Sequence, residues 1–340
     1  MKAVVYRGIN DLQVASVPEP SLDDPNDVII RVSLTSICAS DLHIRDSGLH
    51  EPGKIIGHEY CGVVEEAGQQ VRGFRKGDRV VGKPFANCGY CFYCQHGQPE
   101  LCEVGILFGV KGGQGVQAEY ARIPWADNTL KKIPDSLTFE DAIFAGDILS
   151  TGLTGVLRGK VTYGGTVAVF GAGPVGLCAV ALSNLFGASK VIAVDRLDYR
   201  LAVASSFGAI TVCAAKEDPV QAILSLTEGR GVDVGIEAAG LEATFNSCLH
   251  SVRRGGRLSV VGFFSDPTYL NISERFFDVF NLTIGLGDSS HMEELLNLIA
   301  GGKLDVKKLI THTFSLEDAM QGYDVFERKL DKCIKVILKP

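Results

Sequence analysis

The sequence lacks the features that would assign it to several specialised classes. It contains no stretch of about 18 apolar residues that could span a bilayer, and its net charge of -7 is not gathered into runs of like charge. A chain without a basic cluster is not expected to bind nucleic acid or an anionic membrane surface as its main partner. Residues 1–6 lack the apolar core of a signal peptide and predict a first strand instead. We therefore expect a cytoplasmic protein that acts on a small molecule.

Disulfides are not expected either, although the chain has ten cysteines. In a cytosolic protein, clustered cysteines are more often metal ligands or catalytic groups. Five cysteines lie outside any cluster, among Val, Ala and Leu, and are predicted to be small buried hydrophobic residues. These are Cys61, Cys178, Cys213, Cys248 and Cys333.

A chain of 340 residues is expected to form about two domains. Residues 1–150 alternate short apolar segments with Gly, Pro and Asp turns, which predicts a β-rich domain. Within it, residues 135–157 have helical character that Gly146 and Gly152 are expected to interrupt. Residues 151–286 are expected to form the second domain. From Thr166 onward a strand, a glycine turn and a helix repeat, which predicts a parallel sheet covered on both faces. Residues 287–340 lie beyond that unit, and could pack back on the first domain.

A glycine turn follows the apolar strand at residues 167–170 and opens a helix, which is the setting of a dinucleotide fingerprint. Gly171 permits the tight turn, Gly173 lets a pyrophosphate approach the positive helix end, and Gly176 permits close packing of the helix on the sheet. Pro174 and Val175 complete the segment. The pattern predicts that this turn binds a dinucleotide.

The next strand ends at Asp195, 19 residues after Gly176, where a carboxylate can accept both hydroxyls of the adenosine ribose. Its negative charge would repel a 2′-phosphate, which favours NAD over NADP. NADP is the alternative cofactor, since a cation in this region, either Arg196 or Arg200, could tolerate the phosphate.

A second cluster lies in residues 85–105, a segment rich in Gly, Tyr and Phe. Four thiolates with the spacing C-x2-C-x2-C-x7-C can close a tetrahedral shell around zinc and leave no position for a substrate, so this zinc is predicted to be structural. A zinc ribbon for nucleic acid is disfavoured because no basic cluster accompanies it. The four residues are Cys88, Cys91, Cys94 and Cys102.

A third cluster combines Cys38 with His58 and Glu59. Thiolate, imidazole and carboxylate are the ligand types that zinc accepts most readily, and a catalytic zinc uses three protein ligands with one position open. We therefore predict a catalytic zinc here. For His58 and Glu59 the alternative is a buried hydrogen-bonded pair.

In this order along the chain, the 38–43 segment, Gly57-His58-Glu59, the cysteine cluster and the Gly171 turn resemble the zinc-dependent medium-chain alcohol dehydrogenase family. The resemblance covers essentially the full length. It implies an α/β fold in which a GroES-like, distorted-barrel catalytic domain (1–150) is followed by a Rossmann NAD-binding domain (151–286) and a C-terminal segment (287–340). It also implies a homo-oligomer, either a tetramer or a dimer.

The resemblance implies two zinc ions per chain and assigns Cys38 and His58 to the catalytic one. Glu59 matches a carboxylate that either completes the shell or lies just behind it. Many relatives have a further cysteine ligand before the Rossmann domain, but this chain has none between Cys102 and Cys178. Asp147 occupies the place where the secondary-alcohol and formaldehyde-dehydrogenase-like branches have an aspartate ligand; the alternative is a helix cap.

Ser40 matches the family's hydroxyl that passes a proton, through the cofactor ribose, to His43 and then to solvent. The alternatives are a helix cap for Ser40 and a surface position for His43. The predicted activity is the reversible oxidation of an alcohol, with a small secondary alcohol as the leading substrate. A polyol or threonine dehydrogenase, a non-catalytic protein that binds nucleotide and zinc, and a zinc-free quinone reductase are the rivals.

Overall fold

A computed structural model describes residues 1–110 and 113–340. The chain divides into one unit made of Met1–Asp147 together with Asp288–Pro340, and a second unit made of Ile148–Gly287. Helices and strands are mixed in both, so the predicted α/β class is confirmed. None of the helices in the described residues is long and apolar enough to cross a membrane.

The strands, in chain order, are β1 (Lys2–Gly8), β2 (Asp11–Ser16), β3 (Val28–Ile37), β4 (Glu59–Ala67), β5 (Arg79–Gly82), β6 (Phe85–Ala86), β7 (Ile106–Leu107), β8 (Tyr120–Ile123), β9 (Leu130–Lys132), β10 (Thr166–Phe170), β11 (Lys190–Asp195), β12 (Ile210–Cys213), β13 (Val232–Glu237), β14 (Val252–Val260), β15 (Asn281–Ile284), β16 (Ile310–Ser315) and β17 (Lys335–Lys339). The α-helices are α1 (Ala39–Ser47), α2 (Phe92–Gln95), α3 (Ala126–Thr129), α4 (Phe139–Ala142), α5 (Ile148–Arg158), α6 (Pro174–Leu185), α7 (Asp198–Ser206), α8 (Pro219–Leu226), α9 (Glu242–Ser251), α10 (Ile272–Arg275), α11 (Met292–Ala300) and α12 (Ala319–Arg328).

The first unit is built on a sheet whose strand order is β16-β17-β3-β4-β5-β9, with β8 also paired to β3. Strand β3 is rich in β-branched residues and almost entirely buried, as expected for the centre of a sheet. Its last residues pair with the start of β4, where Ser36 is opposite Glu59, and with β17, where Ile37 is opposite Val336. The ends of three strands therefore meet at one point, and the C-terminal strand is part of this sheet.

The second unit contains a six-stranded parallel sheet with the order β12-β11-β10-β13-β14-β15. This order belongs to the Rossmann fold, in which the strand order reverses beside the first strand and a dinucleotide binds at the carboxyl ends of the strands there. The apolar segment that was predicted to precede the glycine turn is β10. The predicted Rossmann sheet is therefore confirmed.

The expectation that Gly152 interrupts a helix is wrong, because α5 runs through it. A Cβ atom on Gly152 would lie 2.7 Å from the Cβ of Cys178 on α6. Glycine here allows two helices to pack closely rather than breaking one of them.

Candidate metal centres and dinucleotide site

The first candidate metal centre lies where β3, β4 and β17 meet. Cys38 directly follows β3, His58 and Glu59 stand at the start of β4, and Asp147 is the last residue of the first unit before α5. One donor atom from each of these four residues lies within 4.8 Å of the others. The structure thus brings together, from three parts of the chain, the four residues that were predicted to surround the catalytic zinc.

The imidazole of His58 has a carboxylate on each side. Its Nδ1 lies 3.1 Å from Oδ1 of Asp41, and its Nε2 lies 3.3 Å from Oδ2 of Asp147. Metal-binding histidines commonly donate the second ring N–H to a carboxylate, which fixes the tautomer and leaves the other nitrogen free for the metal. Asp41 is therefore placed to direct Nε2 toward the donors of Cys38 and Asp147. From the sequence, Asp41 is recognisable only as a helix-cap residue.

The alternative in which Ser40 caps α1 is wrong, because Cys38 occupies the N-cap position and α1 begins at Ala39. Ser40 instead donates a hydrogen bond from Oγ to Sγ of Cys38 at 3.2 Å, and its Oγ lies 3.3 Å from Nε2 of His58. His43 lies three residues further along the same helix, on the neighbouring turn. The proton relay through Ser40 and His43 stays a prediction.

Glu59 is buried, and both of its carboxylate oxygens have hydrogen-bond partners. Ser36 Oγ donates to Oε2 at 2.5 Å, and Lys335 Nζ donates to Oε1 at 2.5 Å and to the carbonyl oxygen of Ile37 at 2.9 Å. Burial lowers the pKa of Lys335, but Glu59, Cys38 and Asp147 together raise it by more, so Lys335 carries its positive charge. Burial raises the pKa of Glu59, and the charge of Lys335 opposes that increase. These contacts favour a position of Glu59 behind the metal. The only sequence signal for Lys335 is a charged residue within an apolar strand.

In the metal-free centre, the neighbouring carboxylates favour the protonated form of His58. Burial lowers the pKa of this imidazole, but Asp41, followed by Asp147 and Cys38, raises it by more, and the net pKa is well above its ordinary value. An imidazole must be neutral to bind zinc, so zinc binding at neutral pH has to displace this proton. Since a raised pKa means more protons bound at a given pH, the zinc affinity of this centre increases as the pH rises toward that pKa.

We therefore expect zinc binding to the metal-free first centre to release protons at pH 7. Calorimetric titration in buffers of different ionisation enthalpy measures their number, with the protein first saturated at its four-cysteine site. A heat that is independent of the buffer would show that His58 is already neutral.

The second candidate metal centre consists of the four cysteines of residues 85–105. The Sγ of Cys102 lies 3.5 Å from that of Cys88 and 3.9 Å from that of Cys91, and Cys88 lies 4.0 Å from Cys94. Thiolates bound about 2.3 Å from a zinc ion stand about 3.8 Å apart in a tetrahedron. All ten cysteines are free thiols. The four residues therefore fit a closed zinc shell without an open position.

Two further residues, which the sequence did not indicate, support this second centre. Asn87 donates from Nδ2 to Sγ of Cys94 at 3.7 Å, and Lys83 Nζ donates to Oδ1 of Asn87 at 3.1 Å. Lys83 is buried, and burial lowers its pKa to about 8. Hydrogen bonds to thiolates reduce their charge density and help to hold a metal-binding loop in place.

The candidate dinucleotide site is the turn between β10 and α6 in the second unit. Gly171 has φ = +93°, and a Cβ atom on Gly176 would lie 1.7 Å from the carbonyl oxygen of Gly171. Gly173 is the N-cap of α6, and Pro174 and Val175 are its first two residues. The free N–H groups at the start of α6 therefore lie beside a backbone that a pyrophosphate could approach closely.

The carboxylate of Asp195 is held beside this turn. Oδ2 accepts a hydrogen bond from the N–H of Ala172 at 2.8 Å, and Oδ1 accepts from the N–H of Arg196 at 2.7 Å. The guanidinium of Arg200 lies 3.9 Å from Oδ2, whereas Arg196 is exposed. Asp195 and Arg200 are thus both at the turn, which places the predicted acid and one possible phosphate partner together.

Glu237 is a residue of this region that the sequence did not reveal. It ends β13, is fully buried, and accepts hydrogen bonds from the N–H groups of Ala239 at 2.9 Å and Gly240 at 3.0 Å. These bonds hold the loop after β13 against the glycine turn, so that a Cβ atom on Gly171 would lie 2.9 Å from Cβ of Ala239. The sequence feature that could have revealed Glu237 is a charged residue at the end of an otherwise apolar strand.

A Rossmann sheet with a glycine turn, combined with two clusters of zinc-type ligands, defines a zinc-type dehydrogenase. Comparison with known families agrees with this class. Residues 24–135 match the alcohol dehydrogenase GroES-like domain, and residues 174–301 match the zinc-binding dehydrogenase domain.

Individual proteins match along the whole chain. An alcohol dehydrogenase of Cupriavidus necator is 34% identical, over 100% of this chain and 99% of the relative. A sorbitol dehydrogenase of Bacillus subtilis is also 34% identical, over 100% of this chain and 97% of the relative. The structure of alcohol dehydrogenase TADH from Thermus sp. ATN1 is similar with a TM-score of 0.95 and 40% identity, over 100% and 99% of the two chains. The chain belongs to the zinc-dependent medium-chain alcohol dehydrogenase family.

Proposed function

We propose that this protein is an NAD-dependent alcohol dehydrogenase that uses two zinc ions and reversibly oxidises a small secondary alcohol to a ketone. The observation that supports it is the convergence of Cys38, His58 and Asp147 on one point, with the hydroxyl of Ser40 beside two of them. A set of one thiolate, one imidazole and one carboxylate leaves a position open for substrate oxygen. The preference for a secondary alcohol follows from Asp147 and is an analogy to one branch of the family.

Cys38, His58 and Asp147 would hold the catalytic zinc, with Glu59 kept behind it by Lys335. When bound, zinc supplies a Lewis acid that favours loss of the alcohol proton, and NAD supplies the hydride acceptor. Asp41 keeps the His58 ring oriented. Ser40 Oγ would accept the proton of the substrate hydroxyl as it releases its own proton, which would pass onward to His43 and then to solvent.

The experiment that tests this proposal measures the initial rate of NADH formation by zinc-replete protein with short secondary alcohols, primary alcohols, polyols and threonine. Turnover that favours secondary alcohols supports the proposal. The sorbitol dehydrogenase among the relatives makes a polyol the second candidate substrate. Turnover of a polyol without turnover of simple alcohols would reverse the ranking of these two substrate classes.

We further propose that Asp195 selects NAD. Its carboxylate is held by the backbone N–H groups of Ala172 and Arg196, so it is positioned to accept ribose hydroxyls before the cofactor binds. In Asp195→Ala, we expect the ratio of kcat/KM for NAD to that for NADP to fall about 10- to 100-fold, the range of a charged hydrogen bond. Arg196→Ala is the matched variant, and it should leave the ratio unchanged or raise it. An unchanged ratio in Asp195→Ala would assign cofactor choice to other residues.

We also propose a homo-oligomer in which the β15 strands of two copies pair with each other. In the described residues β15 is an end strand of its sheet, bonded to β14 alone. The side chains of Phe277, Val279 and Ile284 are 83%, 79% and 63% exposed beside it. An unpaired edge strand with apolar neighbours is a template for a second identical strand related by a two-fold axis.

The double variant Phe277→Asp/Ile284→Asp is expected to shift the solution mass toward that of the monomer, as measured by light scattering after gel filtration. Ile210→Asp, on the strand β12 at the opposite edge, is the control and should keep the wild-type mass. If the mass of the double variant is unchanged, β15 is not the interface.

A cytoplasmic location is our remaining proposal, because thiolate zinc ligands need a reducing compartment.

A further inference from the structure

A buried glutamine connects the first metal centre to the C-terminal helix α12. The side chain of Gln117 is 0% exposed. Its Nε2 donates to Oδ2 of Asp41 at 3.2 Å and to the carbonyl oxygen of Ser36 at 3.2 Å, and its Oε1 accepts from the hydroxyl of Tyr323 at 2.8 Å. Each of the two amide hydrogens therefore has an acceptor and the amide oxygen has a donor.

These partners fix the direction of the amide. If it were turned over, Oε1 would face the Asp41 carboxylate and the carbonyl of Ser36, which are acceptors only, and Nε2 would face Tyr323. Tyr323 is 4% exposed and lies within the apolar cluster of the first unit, so water cannot readily replace its hydroxyl. The two acceptors on Nε2 therefore select the orientation in which Gln117 supports Asp41, and the hydroxyl of Tyr323 holds the amide there by donating to its oxygen.

Asp41 in turn divides its carboxylate between the glutamine and the metal centre. Oδ2 accepts from Gln117 and from the N–H of Cys38 at 2.9 Å, whereas Oδ1 faces Nδ1 of His58 at 3.1 Å. The side chain is 0% exposed. A buried carboxylate needs its hydrogen bonds, so the donors on Oδ2 determine where Oδ1 stands. A shift of Asp41 would rotate the ring of His58.

The backbone beside His58 is shaped to admit this glutamine. The N–H of Gln117 donates to the carbonyl of Ile56 at 3.0 Å, which places its side chain next to Gly57. Gly57 has φ = +93°, and a Cβ atom there would lie 2.4 Å from Cγ of Gln117. The residue before His58 must therefore lack a side chain for Gln117 to reach Asp41.

We propose that Gln117 and Tyr323 are positioning residues that act on His58 through Asp41, and so determine how tightly and in what geometry the first centre holds its metal. The inference rests on the metal site of the proposed function and is independent of its substrate. Tyr323 belongs to α12, so the C-terminal segment contributes to the metal centre without touching the metal.

The test compares Tyr323→Phe, Gln117→Leu and the double variant, using the full chain with the four-cysteine site kept loaded. Zinc affinity of the first centre is measured by competition with a chelator, and its geometry by the visible absorption of the Co²⁺-substituted protein. Tyr6→Phe is the control, because Tyr6 is buried in the same apolar cluster and also loses one hydroxyl. The melting temperature of each variant is recorded to separate folding from metal binding.

We expect Gln117→Leu to weaken zinc binding about 10-fold, the lower range for residues that support a metal ligand, and to change the Co²⁺ spectrum. Tyr323→Phe should weaken it about 3-fold, and the double variant should be no worse than Gln117→Leu, since Tyr323 acts through the glutamine. Tyr6→Phe should leave affinity and spectrum unchanged.

Two results would overturn the inference while the proposed function stands. One is wild-type affinity and an unchanged Co²⁺ spectrum in Gln117→Leu and Tyr323→Phe, even if their melting temperatures fall. The other is a double variant whose loss is the product of the two single losses. A wild-type protein that binds zinc only at the four-cysteine site would overturn both proposals.

Discussion

Replacing Cys38 with serine is expected to lower kcat/KM at least about 1000-fold and to reduce the zinc content from two ions per chain to one. Among the described residues, Cys38 supplies the only thiolate of the first centre, and its loss removes a strong zinc ligand from a set of three or four. Several kcal/mol of transition-state stabilisation depend on the Lewis acid, and each 1.36 kcal/mol is a factor of ten in rate. Steady-state rates and metal analysis measure both effects.

Binding of NAD should be unchanged in Cys38→Ser, because the glycine turn and Asp195 belong to the second unit. Cys333→Ser is the control: Cys333 is buried in the first unit but outside both metal clusters, and the variant should keep both zinc ions and its activity. Turnover that survives in Cys38→Ser with one zinc ion per chain would disprove the catalytic zinc.

Replacing Lys335 with methionine is expected to lower the free energy of unfolding by about 3–5 kcal/mol, the range for breaking a buried ion pair. The side chains of Lys335 and Glu59 are 1% and 0% exposed, so the variant leaves a buried carboxylate without its cation. Denaturant unfolding at neutral pH measures the loss. The double variant Glu59→Gln/Lys335→Met should recover part of it, because the unpaired charge is removed as well.

Lys339→Met is the matched control for this prediction. Lys339 lies on the same strand and pairs with Glu140, but the two side chains are 53% and 31% exposed, so the expected loss is below about 1 kcal/mol. Equal losses in the two lysine variants would show that the buried pair contributes little. If Lys335 also keeps Glu59 off the metal, Lys335→Met should change the Co²⁺ spectrum of the first centre, whereas Lys339→Met should not.

The parts of the fold and site that could be predicted are those encoded by spacing along the chain. The repeat of strand, glycine turn and helix was enough to predict a parallel sheet. Three glycines and one acid were enough to predict a dinucleotide turn between β10 and α6. The four cysteines of the second centre lie within 15 residues, from Cys88 to Cys102, and a short loop can bring such neighbours together regardless of the rest of the fold.

Other features could not be predicted because they depend on packing between distant elements. Gly152 was expected to interrupt a helix, yet it lies inside α5. A glycine is needed at this position because α6 packs too closely against it for a side chain to fit. Asp41 could be recognised as a cap residue, but its contact with His58 depends on how β4 pairs with β3. The chemical type of a residue does not by itself reveal which metal ligand its side chain will contact.

The sequence by itself determined the family, the ligand types of the two metal centres and the dinucleotide turn, since each depends on residue identity and local spacing. Only the tertiary structure decided which buried groups support those ligands. Lys335 meets Glu59 across 276 residues of chain, and Tyr323 meets Gln117 across 206. The first pair forms because β17 joins the sheet beside β3, and the second because α12 packs against both strands. Buried polar groups must find partners there, and no local pattern specifies these contacts.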